Sequence, residues 1–155
     1  MEFPAESFDH WANTYDAQTE AAKGFPFQGY HQVLEMIVSG CQPSKGDRIL
    51  DLGCGTGNLA GMFLLFGCQI TGIDFSPAMI AIARNKYPSI HFQVQDVRAP
   101  LSGHHIPLYR HIVSAYVFHH FPLEEKIRLI RNLLAHHLLP GGKLIIADLL
   151  FLDPT

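Results

Sequence analysis

The chain has 155 residues, 48% of them hydrophobic and 16% charged, with a formal net charge of −3 when histidine is neutral. That length suits a single domain spanning residues 1–155, and the balance supports a buried core and excludes a disordered polymer. The 11 basic residues are scattered without a stripe, which argues against nucleic acid as a partner.

The N-terminus, Met1 to Glu6, lacks the basic and apolar regions of a secretory signal. Residues 6–21 read as a helix, with Phe8, Trp11, Ala12 and Tyr15 on one face. Residues 24–29 form a break, and a second amphipathic helix runs from Tyr30 to Ser39, ended by Gly40. These two helices, within residues 1–45, are expected to cover a core formed by residues 46–155. Arg48 to Leu52 is a short apolar strand that enters a glycine turn. Asn58 to Phe66 is helical and Gly67 stops it. Gln69 to Ile73 is a strand ending at Asp74, and Ser76-Pro77 caps a helix reaching Lys86. Ile90 to Gln95 is a strand ending at Asp96, followed by a loop over 99–107. Arg110 to Tyr116 is a strand, Leu123 to His137 a helix closed by Pro140-Gly141-Gly142, and Lys143 to Leu150 the last strand.

Strands alternating with helices predict an α/β fold: a doubly wound, Rossmann-like, mostly parallel sheet of about five strands with helices on both faces. The most apolar stretch, Gly57 to Ile73, is broken by Asn58, Gln69 and Thr71, so it reads as core and not as a membrane span. Cys41, Cys54 and Cys68 are odd in number and form no C-x-x-C pair. Neither a disulfide framework nor a zinc site is expected, and a reducing cytoplasm fits best. The last strand has almost nothing after it. As a bare sheet edge it is expected to pair with a partner, such as a second copy in a homodimer, or to belong to a longer natural domain.

The chemistry concentrates at strand ends. In Asp51-Leu52-Gly53-Cys54-Gly55-Thr56-Gly57, glycines permit positive φ and close approach of a ligand to the backbone. Asn58 stands where a dinucleotide fingerprint needs glycine, which argues against a nicotinamide oxidoreductase. Asp51 suits a ligand with an ammonium group better than one with a pyrophosphate. Asp74 follows Gly53 by about 20 residues, the spacing at which an acid meets ribose hydroxyls. Asp96, with Val97, ends the third strand, where a carboxylate can accept from an exocyclic amine. The adjacent pairs His104-His105 and His136-His137 do not read as metal sites, because neighbouring positions on a helix do not share a face.

Leu50 to Gly57 resembles the first motif of class I S-adenosylmethionine-dependent methyltransferases, and Gly72 to Met79 resembles their ribose-binding segment. Asp96-Val97 resembles their adenine contact, and Leu139 to Lys143 the turn before their fifth strand. Phe8 to Asp16 and Ser114 to Phe121 are similar to segments of small bacterial members. The resemblance implies S-adenosyl-L-methionine as cofactor. It places Gly53, Gly55 and Gly57 in the cofactor-binding turn, Asp51 near the ammonium, Asp74 on the ribose, and Phe75 and Met79 about the adenine. It also places Asp96 and Val97 at the adenine edge, Ser114 near the sulfonium end, and Tyr15 over the site. The family's sheet has seven strands and this chain supplies five, so the last two are expected to be missing.

Displacement at a sulfonium needs alignment first, and a base only where the acceptor holds a proton that must leave. His119, His120 and Tyr15, with Tyr116, are the candidates for that base. Ser114-Ala115-Tyr116-Val117 lacks the Asn/Asp-Pro-Pro-aromatic signature of amino-group methylation, which points to a small-molecule acceptor. A cofactor-binding fragment without turnover, or an assembly partner, is the alternative.

Overall fold

A computed structural model describes residues 4–21, 24, 26–101 and 108–149 of the chain. The His104-His105 pair, most of the 99–107 loop and Leu150 lie outside the described residues. Two helices, α1 (Ala5–Ala21) and α2 (Tyr30–Cys41), precede the alternating part. This comprises β1 (Arg48–Leu52), α3 (Asn58–Met62), β2 (Gln69–Asp74), α4 (Pro77–Lys86), β3 (His91–Val94), β4 (Tyr109–Ala115), α5 (Leu123–His136) and β5 (Leu138–Ala147).

The five strands form one parallel sheet in the order β3-β2-β1-β4-β5. Strand order reverses between β1 and β4, so loops on either side of that point diverge and leave a crevice at the carboxyl ends. Period-two alternation feeds two cores. Ile49, Ile70 and Val113 join α2, α3 and α4 on one face, while Leu50, Leu52, Ile73 and Ile112 meet Leu133 of α5 on the other. The doubly wound class expected from the sequence is therefore the observed one. Among the described residues, no helix is long and apolar enough to cross a membrane.

Local chemistry accounts for most boundaries. Ser76 caps α4, its Oγ accepting from the Met79 N–H at 3.1 Å, with Pro77 at the first helical position. Gly67 ends a 3-10 turn (Phe63–Phe66) at φ 71°. Two expectations shift. Gly40 does not end α2, which continues to Cys41 and is closed by Gln42 at φ 52°. Pro140-Gly141-Gly142 is not a turn before β5 but lies inside it. Leu138 already pairs with Tyr109, and an irregularity between Tyr109 and His111 absorbs the extra residues before Lys143 resumes the ladder.

Gly72 in β2 is required by close approach. A Cβ there would lie 2.7 Å from the Phe92 ring and 2.9 Å from Cys54 Sγ. Gly72→Ala is expected to lower stability by about 1–3 kcal/mol, the usual cost of overpacking. The midpoint of urea unfolding checks this, and an unchanged midpoint would contradict the packing described.

Candidate functional site

A cavity of about 410 Å³ opens at the carboxyl ends of the strands, in the range of small-ligand sites. Its floor is the turn after β1. The N–H groups of Gly53 and Cys54 both donate to the Ile73 carbonyl, at 2.8 and 2.9 Å, and so fold the turn against β2. Gly55, at φ 52°, donates its N–H to Asp74 Oδ2 at 2.9 Å. A Cβ on Gly55 would meet nothing within 4 Å, so this backbone faces open space. At Gly53 a Cβ would collide with Val117 at 2.3 Å, so this glycine makes room for a side chain that also lines the cavity.

Asp74 is 7% exposed and accepts a second backbone N–H, that of Ser76, at 2.9 Å. Burial raises its carboxyl, opposed by the Ser76 and Gly55 N–H groups. Asp51 stands behind the turn at 1% exposure, and one of its oxygens has no hydrogen-bond partner among the described residues. Burial, with the Asp74 carboxylate nearby, pushes it up to about 7.

Helix α1 is the roof. Ser7, Phe8, Trp11 and Tyr15 line the cavity from above. Phe8 packs edge-on against Phe75 at 5.0 Å and against His120 at 5.6 Å, and Tyr15 against Trp11 at 4.9 Å. Two acids a helical stripe apart tether this roof. Asp9 Oδ1 accepts from Ser76 Oγ and, at 3.2 Å, from the Ala78 N–H. Asp16 accepts from Thr56 Oγ and from Asn58 Nδ2 at 3.1 Å, and from Lys86 Nζ at 2.7 Å. Burial raises the Asp16 carboxyl, but Lys86, Thr56 and Asn58 together bring it below its ordinary value.

The sequence-derived set divides. Tyr15, Gly53, Gly55, Asp74, Phe75, Met79, Asp96, Val97, His119 and His120 all line the one cavity. Asp51, Gly57 and Ser114 do not line it, Asp51 lying buried behind the turn. Gly57 lies under the Phe92 and Tyr87 rings, 3.0 and 3.1 Å from where its Cβ would be, so it serves helix packing. Ser114 is fully buried and spends its hydroxyl on the Leu52 carbonyl at 2.8 Å, bracing β4 against β1. Asp96 is already engaged. Arg98 Nη2 lies 2.8 Å from its Oδ2, and the guanidinium holds the carboxyl below its ordinary value.

The four base candidates differ sharply. Burial and the neighbouring Tyr30 hold the Tyr15 phenol well above its ordinary range, so at neutral pH it offers a proton and does not take one. Burial, with His119 beside it, lowers His120. His119 is held by Asp148, the residue after β5. The His119 backbone N–H donates to Oδ2 at 2.6 Å, and ring Nδ1 lies 2.5 Å from Oδ1. Asp148 was missed in the sequence because it sits in a hydrophobic run. Its signal was the one Asp74 carries, an acid at the carboxyl end of an apolar strand. Tyr116, also on the wall, takes φ 61°, held by a stacked contact with Tyr30 at 5.6 Å.

Comparison with known proteins gives this geometry a lineage. Residues 49–142 match the model of the methyltransferase domain family. The chain is 36% identical to an uncharacterised methyltransferase of Alkaliphilus oremlandii, over 93% of this chain and 66% of the relative. It is 37% identical to one of Bacillus cytotoxicus, over 94% of this chain and 67% of the relative. It thus spans about two thirds of the length of these curated relatives. Its fold is similar to that of DhpI, solved in complex with SAM and HEP, with a TM-score of 0.74 at 21% identity over 96% of this chain and 65% of DhpI. The motifs in order, the glycine turn clasped by Asp74 and these matches together make the chain a member of the methyltransferase domain family, of the class I S-adenosylmethionine-dependent type.

Proposed function

We propose that the chain transfers the methyl group of S-adenosylmethionine to a small-molecule acceptor within the carboxyl-end cavity. One observation carries this reading: the open Gly55 backbone and the Asp74 carboxylate meet in a single cavity whose other walls are largely apolar. The residues present fit the cofactor. The buried Asp51 carboxylate, with an oxygen lacking a partner, suits an ammonium group. Asp74 keeps lone pairs beyond its two backbone contacts and so can accept from ribose hydroxyls. Phe75, Met79 and Val97 give an apolar slot for a purine.

When bound, S-adenosylmethionine supplies a methyl group on a sulfonium that an acceptor displaces directly. The chain's own contribution is to hold both reactants in line and to keep water out, which can supply several kcal/mol. The aromatic face of α1 does the second task, anchored by Asp9 and Asp16 at its two ends. A roof of this kind favours a small acceptor over a polymer.

Titration calorimetry with S-adenosylhomocysteine tests the reading. Asp74→Ala is expected to weaken binding at least about tenfold, from loss of charge-assisted hydrogen bonds. Unchanged affinity in this variant would remove the ribose assignment, and no binding by the wild type would remove the cofactor.

Asp51 predicts the pH dependence. Its raised value means the acid stays protonated below about pH 7, whereas the ligand ammonium favours the ionised form. Affinity should therefore fall as pH drops below about 7, by at most about tenfold per unit, with proton release on binding near neutrality. Without ligand the sign is opposite, because the folded state holds this proton more tightly than the unfolded state does. Stability contributed by the protonated carboxyl is lost as pH rises through about 7. Asp51→Asn should accordingly raise the urea midpoint at alkaline pH while abolishing the pH dependence of binding. A lower midpoint would contradict the burial argument.

A further inference from the structure

Asp148 gives the site a feature beyond cofactor binding. His119 lines the 410 Å³ cavity, and Asp148 lines a second cavity of about 630 Å³ between α2 and the end of β5. Pro26, Tyr116 and Leu149 belong to both walls, so the His119–Asp148 pair sits where the two spaces adjoin. The second space is bordered by Val33, Met36, Ile37 and Ile145, and Asp148 is its only charged wall residue among those described.

A proton on Nδ1 donated to the Asp148 carboxylate would leave the His119 lone pair on Nε2, the tautomer that can accept a proton. Burial raises Asp148, but the His119 ring and backbone and the Leu149 N–H bring it below its ordinary value, so it remains an anion. Among the described residues, His120 on the same turn and Tyr116 just after β4 stand beside the pair, and Tyr15 of α1 lines the same cavity as His119. Burial disfavours the charged form of each.

The acceptor's chemistry follows. The described carboxylates of the cavity wall are already engaged, Asp74 with backbone N–H groups and Asp96 with Arg98, and Asp148 behind the wall is engaged with His119. On the reading above Asp51 and Asp74 serve the cofactor and Asp96 is paired with Arg98, which leaves no described carboxylate of the cavity wall for a cationic amine, and a thiol ionises near neutrality without help. A weakly acidic hydroxyl on an apolar molecule is the acceptor that both suits these walls and needs a base.

Resting on the methyl-transfer reading above, we propose that His119 is the general base, that Asp148 positions it, and that the acceptor is a phenol-like hydroxyl. The hydroxyl proton passes to His119 Nε2 as the oxygen forms its bond to the methyl carbon. The electron pair of the breaking carbon–sulfur bond stays on sulfur. A methyl ether and S-adenosylhomocysteine result, and the imidazolium beside Asp148 returns its proton to water.

The test uses the whole chain, S-adenosylmethionine and phenols of graded acidity, from phenol to 4-nitrophenol, at mildly alkaline pH where the latter is already ionised. His119→Gln and Asp148→Asn should each lower kcat/KM on phenol by about 10²-fold or more, the usual worth of a positioned base. The loss should shrink along the series and vanish on 4-nitrophenol, and S-adenosylhomocysteine affinity should not change. Asparagine keeps an oxygen for the His119 backbone N–H, so a purely structural tether would survive. The wild type should also show an exchange-protected Nδ1 proton of His119 by NMR, absent in Asp148→Asn. Equal losses across the series, or none, would overturn the inference. So would a wild type that binds S-adenosylhomocysteine but methylates no phenol. Failure to bind that ligand would overturn the underlying reading instead.

Discussion

Everything at this site depends on one carboxylate held between two backbone amides. Asp74 Oδ2 accepts from Gly55 and Oδ1 from Ser76, each at 2.9 Å. The first bond fixes the glycine turn after β1, and the second fixes the start of α4. Ser76 then caps that helix and gives its hydroxyl to Asp9, which carries the chain of contacts up to α1. Floor, rim and roof are thus registered to the tip of one strand. In a parallel sheet this is the natural anchor, because every strand delivers its carboxyl end to the same side.

Acids gather at those ends, and each is answered differently. Asp74 meets backbone N–H groups, Asp96 meets a guanidinium, and Asp148 meets a histidine. Asp51 has one oxygen with no partner among the described residues and is pushed up to about 7 by burial and by Asp74. Holding such a group in the core is unfavourable for the isolated fold. On the proposed reading, a cationic group of the ligand is its counterpart.

The strands, the glycine turn and the Ser76 cap were legible because each is written locally, in alternation, in glycine spacing or in a Ser-Pro pair. Asp74 was legible because its distance from Gly53 along the chain is set by one βαβ unit. Ser114 was not, since its hydroxyl is consumed by a carbonyl on a strand far away in sequence, and Gly57 faces rings contributed by α4 and β3. The start of β5 was hidden by Pro140-Gly141-Gly142, which locally signals a turn but is absorbed as an irregularity because β4 supplies a ladder on which to resume. Asp9 and Asp16 act only through partners brought close by folding, and nothing in their immediate neighbours announces it, whereas Asp148 carried the strand-end signal but its histidine partner is set by the fold.

The central claim is that the space between the glycine turn and the face of α1 holds S-adenosylmethionine with its ribose on Asp74. A crystal structure of the chain grown with S-adenosylhomocysteine tests this most directly. The account predicts ligand density along Gly53 and Gly55, with both ribose hydroxyls within hydrogen-bond distance of the Asp74 carboxylate and the ammonium directed toward Asp51. Density elsewhere, or a ligand in this cavity whose ribose does not touch Asp74, would contradict it.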